Sequence, residues 1–143
     1  EPTGVVSAVA PNDSSLIGLI SIVAPIIAGG NTVVVLASEE NPLCSITFSE
    51  VLHTSDVPGG VVNILTGHRS ELLEQFSSHM DVNAIVYCGT EPEEIKLVQE
   101  NAALNVKRPI VYSDENWLDK NTQDPYRILN TLETKTTWHP VGV

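Results

Sequence analysis

Residues 84–112 read AIVYCGTEPEEIKLVQENAALNVKRPIVY, and this stretch decides the fold. Its first five residues, Ala84 to Cys88, form an apolar, partly β-branched run of strand length. Pro92 suits the first turn of a helix, where its fixed φ is pre-organised and its missing N–H costs nothing. From there to about Leu104, the residues Ile95, Val98 and Ala102 fall on one side at helical spacing. Pro109 to Tyr112 then reads as another short strand. A strand, a helix and a second strand imply a right-handed crossover between parallel neighbours.

The same alternation extends toward the N-terminus. Val5 to Ala10 is a short β-branched run ended by Pro11, Thr32 to Leu36 has the length and branching of a buried strand, and Val61 to Leu65 is a third. Ser14 or Ser15 offers an N-cap to a helical stretch through Ala28, which Gly29 and Gly30 terminate. Pro42 opens a second helix, with Leu43, Ile46, Val51 and Leu52 near helical spacing and Cys44 expected to face the core. Glu71 to Ser78 makes a third helix. The expected architecture is α/β: a Rossmann-like open parallel sheet of about five strands with helices on both faces and ligands beyond the carboxyl ends of the strands. Residues 1–112 are expected to form this domain. Residues 113–143 turn polar and irregular, apart from a short helix near Tyr126 to Leu132, and are expected to pack on it as a C-terminal extension.

Composition narrows the function. A chain of 143 residues has room for a single core, and its low aromatic content leaves Val, Ile, Leu and Ala to build it. The formal charge is −11, and no Lys or Arg precedes Arg69. Such a surface repels phosphate backbones and anionic lipid, so neither nucleic acid nor a membrane is expected as a partner. The apolar run Leu16 to Ala28 is too short to span a bilayer and contains Ser21 and Pro25. Cys44 and Cys88 lack metal-ligand spacing, and His53, His68, His79 and His139 are scattered, so no metal site is expected. Sparse cysteine suits a reducing, cytoplasmic setting. The chain begins at Glu1 rather than Met, in keeping with a piece of a longer polypeptide.

Six motifs, in order, carry a resemblance: PTGVVSAVAP (2–11), APIIAGGNTVVV (24–35), SEENPL (38–43), VPGGVVNILTG (57–67), SSHMDVNAIVYCGT (77–90) and NVKRP (105–109). Over Pro2 to Arg108 the chain resembles the cofactor-binding domain of the aldehyde dehydrogenase superfamily. Each motif is weak alone, and their shared order and spacing make the match specific. The nearer likeness is to the degenerate C-terminal module of the two-module family-16 aldehyde dehydrogenases, and TKTTWHPVGV looks like the end of such a chain. That placement implies a parent polypeptide roughly five-fold longer, by the usual size of domains.

The resemblance assigns positions to a catalytic apparatus that this sequence has altered. The family holds the aldehyde oxygen partly through an Asn in a Pro-Trp-Asn-Phe-Pro loop after the first strand. The matching loop here is Pro11-Asn12-Asp13-Ser14-Ser15, with Asp13 at the Asn position. An amide donates to a developing oxyanion, whereas an ionised carboxylate only accepts. The plainer expectation is that Asn12, Asp13 and Ser14 cap the next helix. The general base belongs to a Glu-Leu-Gly-Gly motif after the fifth strand, and its position holds Tyr112, followed by Ser113, Asp114 and Glu115. The family's nucleophilic Cys would fall beyond Val143. Cys88, with no cation beside it in sequence, reads as a small buried residue.

Cofactor contacts are altered in the same way. Of the Lys and Glu that reach the adenosine ribose in the family, the Lys position is Leu36 and the Glu is kept as Glu39. The family's Gly-Ser-Thr-x-x-Gly turn, whose amides face a pyrophosphate, becomes Gly89-Thr90-Glu91-Pro92-Glu93-Glu94. Gly89 is retained and Thr90 could stand in for the Ser hydroxyl. Pro92 removes a donor, and Glu94 adds bulk where close approach is needed. Each carboxylate of this first turn would repel a phosphate by about 1 kcal/mol at 4 Å in water and roughly 4 kcal/mol at intermediate dielectric. The same acids complement the helix N-terminus by about 0.3–1 kcal/mol each.

The resemblance therefore implies a non-catalytic, aldehyde-dehydrogenase-like pseudoenzyme domain with a structural or protein-interaction role and no bound cofactor. Its partners would be other modules of the parent chain, other proteins, or further copies of itself. The alternative is an NAD-binding domain, with Glu39, Gly89 and Thr90 as vestigial contacts, that contributes to NAD-dependent aldehyde oxidation in a longer protein. A passive scaffold that solubilises its parent is the third reading. Trp117 and Trp138 would either anchor the C-terminal part against another module or pack on this one.

Overall fold

The structure is a computed structural model that describes residues 1–142, so the last residue of TKTTWHPVGV lies outside the described residues. Five strands, β1 (Val5–Val9), β2 (Thr32–Leu36), β3 (Val62–Leu65), β4 (Ala84–Cys88) and β5 (Arg108–Tyr112), form one parallel sheet in the order β3-β2-β1-β4-β5. Four helices join them: α1 (Ile17–Ala28), α2 (Leu43–His53), α3 (Arg69–Ser78) and α4 (Pro92–Leu104). The Rossmann-like α/β layout expected from the sequence is the one observed. The strand order reverses between β1 and β4, which is the switch point of a doubly wound sheet.

Two apolar layers follow from the pleat. Val6, Ala8, Val33, Val35, Ala84 and Val86 face one side and meet Leu19, Ile22, Val23 and Ile26 of α1. Val9, Leu36, Ile85 and Tyr87 face the other side, against Leu73 and Phe76 of α3 and Val98 of α4. Pro11 allows α1 to sit close to the sheet only because residue 18 is glycine: a Cβ there would lie 2.3 Å from Pro11 Cγ. With both faces of the sheet covered, the central strands read as near-continuous apolar runs, interrupted in β1 by Ser7, whose hydroxyl donates to Phe76 O.

Residues 113–133 take the place of a further helix on the α1 face. Trp117 is only 4% exposed and joins the core there, edge-on to the Tyr112 ring at 6.0 Å and 85°. The helix expected near Tyr126 to Leu132 is a 3-10 stretch, Pro125–Thr131, started by the Asp124 side chain accepting from Tyr126 N. Asn31, 2% exposed, binds this segment to the domain. Its side-chain oxygen accepts from Gly4 N, and its amide nitrogen donates to Ile26 O and Thr131 O. Trp138 does not pack on the domain and is 83% exposed.

Several local expectations are corrected. Cys44 is exposed rather than core-facing, and Leu43, Ile46 and Val51 are exposed with it; Ser45 is the buried residue of α2. The helix lies over the edge of the sheet, so a narrow strip of it finds a surface to cover. The N-cap of α1 is Leu16, whose side chain makes no cap, so neither Ser14 nor Ser15 holds that position; Ser14, two residues upstream, still accepts from Gly18 N at 3.1 Å. Asn12 instead accepts from Glu39 N at 3.0 Å and ties the β1 loop to the β2 loop. α3 begins two residues before Glu71, because a carboxylate from another loop satisfies its first amide, as described below.

Candidate functional site

The carboxyl ends of β1, β4 and β5 surround a cleft of about 520 Å³. The structure brings all five residues singled out from the sequence to its walls: Asp13, Glu39, Gly89, Thr90 and Tyr112. They arrive from the loops after β1, β2 and β4 and from the end of β5, because every strand of a parallel sheet delivers its carboxyl end and following loop to the same edge.

Glu39 is already occupied. Oε1 lies 2.6 Å from His68 Nδ1, and Oε2 accepts from Arg69 N at 3.1 Å, the first amide of α3. The hydrogen bond to His68, followed by that from the Arg69 amide, holds the Glu39 carboxyl below its ordinary value, and Glu39 in turn raises His68. A carboxylate at a helix N-terminus is favoured for the same reason that an anionic ligand would be.

Arg69 is the functional-site residue that the sequence reading passed over. Its side chain, 11% exposed, reaches back from α3 into the switch point. Nη2 donates to Ala10 O at 2.7 Å, beyond the end of β1, and to Cys88 O at 3.1 Å, at the end of β4. Nη1 lies 3.8 Å from Glu94 Oε2, and the guanidinium sits 5.8 Å from the centre of the Tyr87 ring. One available signal was its place: it is the first cation in an acidic chain, two residues after the Gly67 that follows β3, on the ligand-bearing edge of the sheet.

Gly89 and Glu94 belong to the same cluster. The Tyr87 hydroxyl donates to Glu94 Oε2 at 2.5 Å. Burial, then this carboxylate, raises the Tyr87 phenol well above its ordinary value. A Cβ on Gly89 would lie 2.5 Å from that hydroxyl and 3.1 Å from Arg69 Nη1. Packing against Tyr87 and Arg69 thus by itself favours glycine at position 89.

Cys88 is buried among apolar neighbours, and desolvation pushes its thiol up to about 12 despite the nearby Arg69. The thiolate, which is the nucleophilic form, is therefore suppressed. Tyr112 is likewise raised by burial; its hydroxyl accepts from Asn130 Nδ2 at 2.8 Å, and its ring lies 4.5 Å from the Arg127 guanidinium. Arg127 also donates to Glu115 Oε2 at 3.0 Å. Among the described residues, no three His, Cys, Asp or Glu side chains are grouped to hold a metal. Among the described residues, no helix is long and apolar enough to cross a membrane.

Comparison with known proteins places this architecture. The family model described as "Aldehyde dehydrogenase family" matches residues 1–112. The chain belongs to the aldehyde dehydrogenase family. A relative from Acinetobacter baylyi, (Z)-2-((N-methylformamido)methylene)-5-hydroxybutyrolactone dehydrogenase, is 38% identical over 108 residues, covering 76% of this chain and 22% of the relative. Human aldehyde dehydrogenase 1A1 is 36% identical over 109 residues, with the same shares covered. Among solved structures, a mutant of aldehyde dehydrogenase C from Pseudomonas syringae, complexed with NAD+ and octanal, superposes with a TM-score of 0.75 at 34% identity, covering 79% of this chain and 23% of that one. This aldehyde dehydrogenase family chain thus spans about a fifth of the length of the curated relatives it matches.

Proposed function

We propose that this chain is a non-catalytic aldehyde-dehydrogenase-like module, akin to the second module of the two-module family-16 members, with a structural or protein-interaction role and no dinucleotide in its cleft. The observation that carries the reading is the position of Arg69. Its guanidinium lies across the switch point, where a ligand of such a sheet sits, and is bonded to the carbonyls of both flanking strand ends.

The residues around it do not fit NAD. Glu39, the position that would meet the ribose, is spent on His68 and the first amide of α3. Pro92 has no N–H to offer a phosphate, and Glu94 projects a carboxylate toward the site from the first turn of α4. Gly89 answers to Tyr87 rather than to a close-approaching diphosphate. For acyl chemistry, Asp13 stands where an amide donor is needed, and Tyr112 is a neutral phenol hydrogen-bonded to Asn130 where a carboxylate base is needed. In this reading the cleft has become a self-contained set of polar contacts that stabilises the module.

Calorimetric titration of the chain with NAD+ and with NADH tests the proposal. The expected result is no saturable heat. Saturable micromolar binding at one equivalent would overturn it. A second reading, an NAD-binding domain serving aldehyde oxidation in a longer protein, is favoured by one observation: Arg69 Nε is buried without a partner, and a buried donor invites an anion. The same titration decides between them.

A further inference from the structure

Residues 113–129 leave the domain and return to it at one tyrosine. Tyr112 ends β5 and is held to the sheet by Gly89 N donating to its carbonyl at 3.1 Å. Asn130 Nδ2 donates to the hydroxyl of the same Tyr112 at 2.8 Å. Past Asn130 the chain is clasped firmly. Thr131, 2% exposed, accepts from Thr3 N at 3.2 Å and from the Asn31 amide at 2.9 Å, and Arg108 donates to Leu132 O at 2.8 Å. A surface segment whose ends meet in this way is an Ω-loop, a type that often carries function.

The loop is self-contained between those ends. Its backbone bonds are internal: Asp119 N to Asn116 O, Thr122 N to Asp119 O, Gln123 N to Lys120 O and Arg127 N to Asp124 O. Trp117 is its one buried residue. Toward the rest of the domain the Ser21 hydroxyl donates to Gln123 Oε1 at 3.0 Å, and Arg127 closes the remaining gap. The Arg127 guanidinium lies 4.5 Å from the Tyr112 ring centre and 5.1 Å from that of Trp117, and Nη2 donates to Glu115 Oε2 at 3.0 Å. One side chain thus joins the end of β5, the inserted indole and the start of the loop. Its Nη1 is buried and finds no partner among the described residues. A donor left unsatisfied in the closed state makes opening cheaper.

The loop also forms a wall of the cleft. Asp114, Glu115 and Trp117 line it on the β5 side, and Trp117 shares one apolar cluster with Cys88, which is 1% exposed. We propose that residues 113–129 are a hinged lid on the cleft and that Arg127 is its latch. The lid swings at Asp114, where φ of +57° turns the chain out of β5, while the sheet and the clasp at residues 131–133 stay folded. Because no loop amide belongs to the sheet ladder, this opening breaks no strand pairing. It withdraws Trp117, uncovers Cys88 and widens the cleft toward β5. Access to the switch point is then governed by Arg127 as well as by the acidic rim.

Thiol labelling of Cys88 reads the lid. In the full chain carrying Cys44→Ser, which removes the exposed thiol, the rate of reaction with an aromatic disulfide is followed at low urea concentrations, beside global unfolding in urea. The expected result is slow labelling whose rate hardly changes with urea, because opening a lid exposes little surface and global unfolding exposes much. Arg127→Met keeps an aliphatic stem and removes the charge. It should raise the rate roughly ten-fold, the scale of a lost cation–π contact and ion pair, and leave it flat in urea. Labelling that rises with urea as steeply as global unfolding overturns the proposal, since Cys88 is then reached by unfolding alone. A folded Arg127→Met chain that labels no faster overturns it too. The urea dependence is read in the Cys44→Ser chain itself, so it decides the matter even where Arg127→Met does not fold.

Discussion

The Tyr87 hydroxyl lies within 2.5 Å of where the first side-chain atom of any residue other than glycine at position 89 would be. A position that looks like a phosphate-approach glycine in sequence is thus constrained by a tyrosine two residues earlier, on β4. Gly89→Ala must displace the Tyr87 ring, which is held by Glu94, and also presses on the Arg69 guanidinium 3.1 Å away. Overpacking of this kind costs about 1–3 kcal/mol. Urea unfolding with and without NAD+ should show that loss unchanged by the nucleotide.

The Glu39–His68 pair has a definite pH window. Glu39 is depressed in the folded state, so its contribution is present above the ordinary glutamate value of 4.5 and fades as pH falls through the lowered folded value. His68 is raised, so its contribution is full below its ordinary 6.5 and is lost as pH climbs through the raised folded value. NMR titration of the His68 ring should give a midpoint above 6.5, and Glu39→Gln should bring it back toward that value. An identical midpoint in both proteins would show that the pair does not form in solution.

The two thiols should behave oppositely. Cys44 is exposed on α2, whereas Cys88 is buried with its thiol pushed up to about 12. An aromatic disulfide reagent at mildly alkaline pH is expected to label Cys44 alone in the folded chain and both cysteines in urea. Peptide mapping of the labelled native protein checks the assignment, and rapid native labelling of Cys88 would contradict it.

Val106 holds a backbone conformation that suits glycine. It has φ +56° at the end of α4, where Lys107 N closes the helix on Ala102 O. A β-branched residue in the left-handed region is strained by roughly 1–2 kcal/mol. Its side chain is exposed, so no packing offsets the strain. Val106→Gly should raise stability by up to about 1 kcal/mol, the flexibility of glycine in the unfolded chain taking back the rest. A thermal melt that shifts downward would refute this.

What was readable locally in the chain was what depends on neighbours in sequence. β4 and α4 fall where Ala84–Cys88 and Pro92–Leu104 place them, because strand length, Pro92 and helical spacing act within a few residues. α2 shows the opposite. Leu43, Ile46 and Val51 lie near helical spacing, but spacing does not say whether a sheet lies beneath, and α2 sits at the sheet edge over β3. The start of α3 is not legible locally because its first amide is satisfied by Glu39, thirty residues away.

The sequence by itself determined the alternation of strands and helices, and with it the edge on which the five candidate residues gather, since parallel strands send all their following loops one way. The tertiary structure alone decided what those residues do there. Hydrogen bonds and ion pairs depend on distance in space, so neither the capture of Glu39 by His68 and α3 nor the reach of Arg69 to Ala10 and Cys88 could be read from the order of the letters.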